Sequence, residues 1–298
     1  MKKFKNSWLA FYSPFSKVKC DNCKNDYDAL EASCPKCKCL NTRREGEKSL
    51  FEGPHPSPIR EICVFLMGFI GFQFLGIIIS FITQLAKASE LRNLGYSGTD
   101  LENALVSYTE SSNYIAIVNY TSYFILFICL LLILWKQVKF LIPQIFNYKT
   151  LLGIPLGFLI LGVSIILSII ESRLGGQTNQ NQTSVIKMVQ QTPFLAILIT
   201  GIIGPLCEEL TYRFGLFDFG KRINRIIAYL FASVLFGLIH LHDYTSINEW
   251  ISFPSYLVTG FLLAFIYEKF GLGASFVAHS VNNLVAIIQI LLLGNASE

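Results

Sequence analysis

What most constrains this chain is a set of long apolar runs. Five of them, at 62–85, 114–135, 151–170, 194–217 and 272–293, are long enough to cross a hydrocarbon core as helices, because one crossing takes about 17 to 25 apolar residues. Two shorter runs, at 226–241 and 253–267, bring the set to seven. Of the 298 residues, 52% are hydrophobic and 15% charged, where soluble domains average roughly 45–50% and 25%. The pattern predicts an all-α polytopic membrane protein with seven transmembrane helices, or eight, in contact with the lipid bilayer.

The net charge of +4 says little as a sum, but its distribution orients the chain. Lys and Arg accumulate in cytoplasmic loops, and residues 1–60 hold 12 of the 24. Following alternate crossings from a cytoplasmic N-terminus, the inner segments carry 19 and the outer ones four, Lys87, Arg92, Arg173 and Lys187. The expected arrangement is an integral protein of the plasma membrane with its N-terminus cytoplasmic and its C-terminus external. No signal peptide is expected, because the first long apolar run begins only at Ile62, so the first span would serve as the membrane signal.

Three domains are predicted: a cytoplasmic ribbon over 1–50, a Pro-rich linker over 51–60, and a transmembrane domain over 61–298. In the first, Cys20-x2-Cys23 and Cys34-x2-Cys37 have the spacing of two turns that place four thiolates around one structural zinc. Cys39 is an alternative to Cys37. A disulfide pairing is disfavoured on the reducing cytoplasmic side. The segment is too short to bury much core, so the metal would supply most of its folding free energy. Its Lys residues suit anionic headgroups as readily as nucleic acid, and no nucleic-acid partner is expected. Cys63, Cys129 and Cys207 lie singly in apolar runs and read as packing residues. Residues 86–112 read as an outer loop with one short amphipathic helix around 101–108, and 172–193 as a flexible outer loop. No internal repeat is visible, which weighs against a transporter built of duplicated halves.

Ionisable groups inside a span are costly and default to function. The fourth run contains Cys207-Glu208-Glu209-Leu210-Thr211-Tyr212-Arg213. On a helix Glu209 and Arg213 can form an ion pair, leaving Glu208 free with Tyr212 one turn on. A charged span end at the headgroups is the plainer reading. Against it stand two further polar groups in apolar helical stretches: His240, four residues after Phe236, and His279, with Asn283 one turn later on the same face. Together they predict one convergent polar site.

The ordered set Glu-Glu-x-x-Tyr-Arg, Phe-x-x-x-His and His-x-x-x-Asn resembles the type II CAAX prenyl endopeptidases and bacteriocin-processing proteins, also called the Abi family of intramembrane proteases. The likeness covers about residues 194–290. It implies that Glu208 is the general base activating water, that His240 shares this water, and that His279 and Asn283 hold the oxyanion of the scissile carbonyl. Glu209, Tyr212 and Arg213 would shape the site. The substrate would be a membrane-associated peptide or protein. Glu208, His240 and His279 could instead ligate zinc; the metal-free reading is favoured because there is no His-Glu-x-x-His pair and Arg213 would oppose a dication. A scaffold or bacteriocin immunity protein retaining the same residues is the alternative function, and a small-solute or proton carrier a more distant one. One difficulty stands: measured from the cytoplasmic ends of the runs, Glu208 and His279 lie roughly 10–14 Å deep but His240 about 21 Å. Access from the cytoplasmic side is expected.

Overall fold

The computed structural model describes Phe11 and residues 13–15, 17–31, 33–39 and 55–294; the expected linker lies partly outside them. In the ribbon, strand β1 (Lys17–Lys19) pairs antiparallel with β2 (Asp26–Asp28), Val18 opposite Tyr27. Val18 and Tyr27 are buried with Cys20 and Cys34 in a core of their own. The two Cys loops repeat one geometry. In each, the N–H after the second Cys returns to the first: Lys24 to the Cys20 carbonyl at 3.0 Å and Lys38 to that of Cys34 at 2.8 Å. Those two Lys take the left-handed conformation, φ 58° and 60°, which costs a non-glycine residue about 1–2 kcal/mol.

The bundle is all-helical. Helix α1 (Pro58–Asn93) starts with Pro in its first turn, and the Ser57 hydroxyl caps it by accepting the Arg60 N–H. Then come α2 (Gly98–Thr109), α3 (Ser112–Ile133), α4 (Val138–Ile145), α5 (Tyr148–Arg173), α6 (Gln180–Gln191), α7 (Pro193–Ile223), α8 (Arg225–Leu238), α9 (Ile247–Phe270) and α10 (Leu272–Gly294). Among the described residues six helices, α1, α3, α5, α7, α9 and α10, are long and apolar enough to cross a membrane. Their outward faces carry large exposed apolar side chains such as Phe74, Ile77 and Phe81 on α1. The chain is an integral membrane protein.

The seventh expected crossing is α8. Its 14 residues make about 21 Å of helix against a hydrocarbon core of about 30 Å. Yet its two flanks touch opposite ends of the bundle. At one end Arg225 donates to Glu268 at the close of α9; at the other, the stretch beyond α8 meets the start of α9, where the His242 N–H donates to Glu249 at 3.1 Å. Residues 239–246 continue from α8 to that end of the bundle without α-helix. Such backbone is tolerated at membrane depth only where protein surrounds it. The depth difficulty disappears for a related reason: α7 runs on past Phe217 to Ile223. Glu208 and His240 then stand equally far, about 22 Å, from the Asn224 turn that joins α7 to α8.

The flexible loop expected over 172–193 contains helix α6. Asn179 caps it, its Oδ1 accepting the Gln182 N–H at 2.8 Å, and Met188 and Val189 are buried beneath it. Its Asn, Gln and Thr content hid that apolar face.

The ribbon sits on the Asn224 end of the bundle through one guanidinium. Arg222 gives Nε to Glu61 Oε2 (2.6 Å), Nη2 to Glu61 Oε1 (3.0 Å) and to the Pro56 carbonyl (2.8 Å), and Nη1 to both oxygens of Asp28 (2.8 and 2.9 Å). Glu61 belongs to α1 and Asp28 to β2, so a single buried side chain joins ribbon, first span and α7. Three-way use of its fork is something a lysine cannot supply.

Candidate active site

Two long helices, α7 and α10, and the turn that follows the short α8 carry the predicted side chains, and a third long helix, α3, adds Tyr123. Glu208 lies on α7 where the helix loosens into π-helical turns over 210–217, a feature common at functional sites. Its two oxygens have different fates. Oε1 accepts the Tyr123 hydroxyl of α3 at 2.7 Å. Oε2 is buried with no hydrogen-bond partner and faces His279 Nε2 at 3.7 Å. Glu208 is therefore not as free as the sequence reading had it: one oxygen is anchored, the other open.

His279, on α10, is oriented from behind. Its Nδ1 lies 3.1 Å from Glu209 Oε1, and a carboxylate there can only accept, so Nδ1 carries a proton and Nε2 points to Glu208. Glu209 Oε2 in turn lies 3.3 Å from Arg213 Nε, both side chains fully buried. The expected i,i+4 ion pair is present, and it extends to the imidazole. The Arg213 guanidinium also stands over the Phe236 ring, 5.1 Å from its centroid.

His240 is held differently. Its Nδ1 is 2.7 Å from the Phe236 carbonyl, which fixes the Nδ1–H tautomer and leaves Nε2 as acceptor, and its ring stacks on Tyr256 at 4.5 Å. Phe236 fills the space between the two imidazoles, 4.8 Å from the His240 ring and 5.7 Å from that of His279. Tyr212 packs edge-on against Phe236 at 5.4 Å, as part of the wall. Asn283 stands one turn from His279, with an amide N–H donating to the Thr200 carbonyl at 3.1 Å. The second N–H of that amide remains for another acceptor.

Sequence reasoning missed Tyr123, and named Phe236 only as the start of the Phe-x-x-x-His motif. The second apolar run does carry Asn119-Tyr120-Thr121-Ser122-Tyr123, a polar stretch that could have flagged α3 as part of the site.

The ribbon presents a different constellation. The Sγ atoms of Cys20, Cys23, Cys34 and Cys37 all lie within 4.8 Å of one another, with Cys20 3.4 Å from Cys37 and Cys23 3.5 Å from Cys34. Cys39 is outside the four. The backbone N–H of Cys39, then the Cys23 thiol, hold the Cys37 thiol below its usual range; the Cys34 thiol is lowered too, its burial being outweighed by the N–H groups of Cys37 and Lys36. Against the Asn25 N–H, burial and the neighbouring thiols push the Cys23 thiol up to about 12, so a metal bound by all four would displace its proton. Among the described residues these four are the one group that could hold a metal ion; Glu208, His240 and His279 do not converge in the same way.

The bundle's ordered motifs can be set beside known proteins. Residues 190–285 match the type II CAAX prenyl endopeptidase Rce1-like family. The resemblance read from the motifs therefore holds over the segment that carries them, a segment typical of membrane proteases. The chain is 31% identical to the membrane-embedded CAAX protease MroQ of Staphylococcus aureus, over 46% of this chain and 57% of that one. It is 28% identical to the putative membrane peptidase YdiL of Bacillus subtilis, over 32% and 36%. An uncharacterized protein of Mycoplasma capricolum is 30% identical over 49% of this chain and 46% of its own. The chain thus spans about half the length of the curated relatives it matches, or less. No solved structure matches.

Proposed function

We propose that this protein is an intramembrane endopeptidase that hydrolyses a peptide bond in a membrane-associated peptide or protein, with Glu208 as general base. The observation that carries the reading is the Glu208 carboxylate, tied through Oε1 to Tyr123 and leaving a buried, unpartnered Oε2 beside His279 Nε2. Water held between Glu208 Oε2 and His240 Nε2 gives a proton to Glu208, and the hydroxide attacks the scissile carbonyl carbon. The oxyanion that forms is held beside the His279 imidazole, which Glu209 orients through Nδ1, and accepts from the remaining N–H of Asn283. Glu208 then returns its proton to the amide nitrogen as the C–N bond breaks. No step runs through a metal. Likeness to the membrane-embedded CAAX protease MroQ of Staphylococcus aureus supports this reaction class.

The same reading assigns zinc to Cys20, Cys23, Cys34 and Cys37, where it would close two loops into one folded ribbon. Residues 1–50 form this domain, 51–60 its linker and 61–298 the bundle, with a cytoplasmic N-terminus and an external C-terminus in the plasma membrane. Comparing membrane peptides from cells carrying the wild-type chain and Glu208→Gln tests the reaction: uncleaved substrate should accumulate with the variant, and unchanged processing would overturn the assignment. Zinc measured in protein lacking residues 1–50 tests the metal-free step, which stoichiometric zinc lost on mutating His240 or His279 would defeat.

A further inference from the structure

Helices α5 and α10 touch at one end and part at the other. Near the Asn224 end their backbones are in contact: a Cβ on Gly153 would lie 2.5 Å from the Ala274 carbonyl oxygen, and one on Gly157 2.7 Å from that of Ala278. Beyond Gly157 they diverge towards the end opposite the ribbon. The space between them is a groove of about 640 Å³, with α6 at its mouth. Its lining mixes apolar side chains (Leu161, Ile165, Ile169 and Ala286) with polar ones. Ser164, Ser168 and Ser172 project from α5 one turn apart, Gln182 comes from α6, and Asn282 and Gln289 come from α10. The Asn282 Oδ1 is buried with no hydrogen-bond partner. Lipid tails offer such groups nothing, and each unsatisfied polar group in hydrocarbon costs several kcal/mol. The groove therefore suits an occupant that carries both polar and apolar groups, as a peptide does.

The groove borders the site just described at Asn282, the neighbour of Asn283; the site's own side chains do not line it. His279, Asn282, Ala286 and Gln289 follow one another at spacings of three, four and three along α10, so they share one face. Asn282 also donates to Asn283 Oδ1 at 3.4 Å. From His279 to Gln289 the helix rises about 15 Å, the reach of four or five residues of extended chain. An extended strand has a section of roughly 4.8 by 10 Å, so 15 Å of it fills about 700 Å³, close to the groove's volume. Its alternating N–H and C=O groups match hydroxyl and amide side chains, each of which can both donate and accept.

We infer that this groove is the substrate cleft: an extended segment of a membrane-inserted peptide lies between α5 and α10, enters from the end opposite the ribbon, and is held by main-chain hydrogen bonds to Ser164, Ser168, Asn282 and Gln289. The inference rests on the peptidase reading and differs from the cytoplasmic approach expected from sequence. Recognition through the main chain makes the substrate class an unfolded strand of little side-chain preference over that stretch, not a helix.

The test uses the full chain in two stages. In cells, Ser168→Trp should accumulate the same membrane peptides as Glu208→Gln, whereas Ile166→Trp, on the opposite side of α5 and 60% exposed, should not. A peptide so identified then serves as the probe for purified Ser168→Cys, alkylated with N-benzylmaleimide after folding. Its kcat/KM should fall at least tenfold, while the wild-type chain and Ile166→Cys treated identically keep theirs. If Glu208→Gln accumulates peptides and both Ser168 variants process them normally, the cleft is wrong and the peptidase reading stands. If Glu208→Gln accumulates nothing, the peptidase reading itself fails, and the cleft with it.

Discussion

In the ribbon, the thiols that approach most closely are no more than 17 positions apart, whereas the site in the bundle joins Tyr123 to Glu208 across 85 positions and Glu209 to His279 across 70. The first constellation is a local event: two short loops, each closed by its own backbone hydrogen bonds, need only a metal to hold them together. The second exists only after α3, α7, α8 and α10 have packed, because apart from Glu209 with Arg213 and Phe236 with His240 its side chains orient one another across helices. Loop-closure entropy grows slowly with length, so distance along the chain is not the main obstacle. What differs is the stabilising agent. The ribbon has little core and four thiols that could hold a metal, whereas the bundle rests on helix packing and buried charge. The two should therefore fail under different insults.

The largest effect expected is on turnover. Glu208→Gln should slow peptide hydrolysis by about 10²- to 10⁴-fold, the range for a lost general base, with the unfolding midpoint of the bundle in detergent nearly unchanged. Arg213→Ala should show the reverse emphasis. Glu209 would remain fully buried beside a neutral gap, and breaking a buried pair in this way costs about 3–5 kcal/mol, read as a fall in the bundle's denaturant midpoint. Arg222→Ala should cost about as much for the same reason, since it strands the fully buried Glu61. A loss below 1 kcal/mol in either variant would show that these charges do not hold the helices together.

Tyr123→Phe comes next. It deletes one hydrogen bond to a carboxylate, worth about 1.5–3 kcal/mol, and should lower kcat by about 10- to 100-fold if that bond sets the direction of Glu208. An unchanged kcat would return Tyr123 to a packing role. The smallest effect belongs to the ribbon's contact. Asp28 is 30% exposed, and a partly solvated ion pair contributes about 0–1 kcal/mol, so Asp28→Ala should barely move the bundle's midpoint. Metal chelation should likewise make residues 1–50 protease-sensitive and leave the bundle folded. Cooperative loss of both on chelation would break the contrast between the two regions.

The sequence by itself determined which parts of this chain are apolar helices, that Cys20, Cys23, Cys34 and Cys37 could meet, and that Glu209 would pair with Arg213. Each of these follows from a short-range regularity: run length, a two-residue spacing, one helical turn. The motif order was enough to indicate the family likeness. Only the tertiary structure decided the rest. Helix α7 continues through Phe217 to Ile223, so the α7–α8 hairpin brings Glu208 and His240 level; no count taken from the end of an apolar run could give that. Helix α6 forms in a stretch whose polar composition concealed it, because burial of Met188 and Val189 is a contact with other helices. Tyr123 reaches Glu208, Phe236 separates two imidazoles, and Arg222 joins three segments, all across helices whose relative placement no local pattern encodes. Helix periodicity says which way a side chain points on its own helix; which partner waits there is a property of the packed bundle.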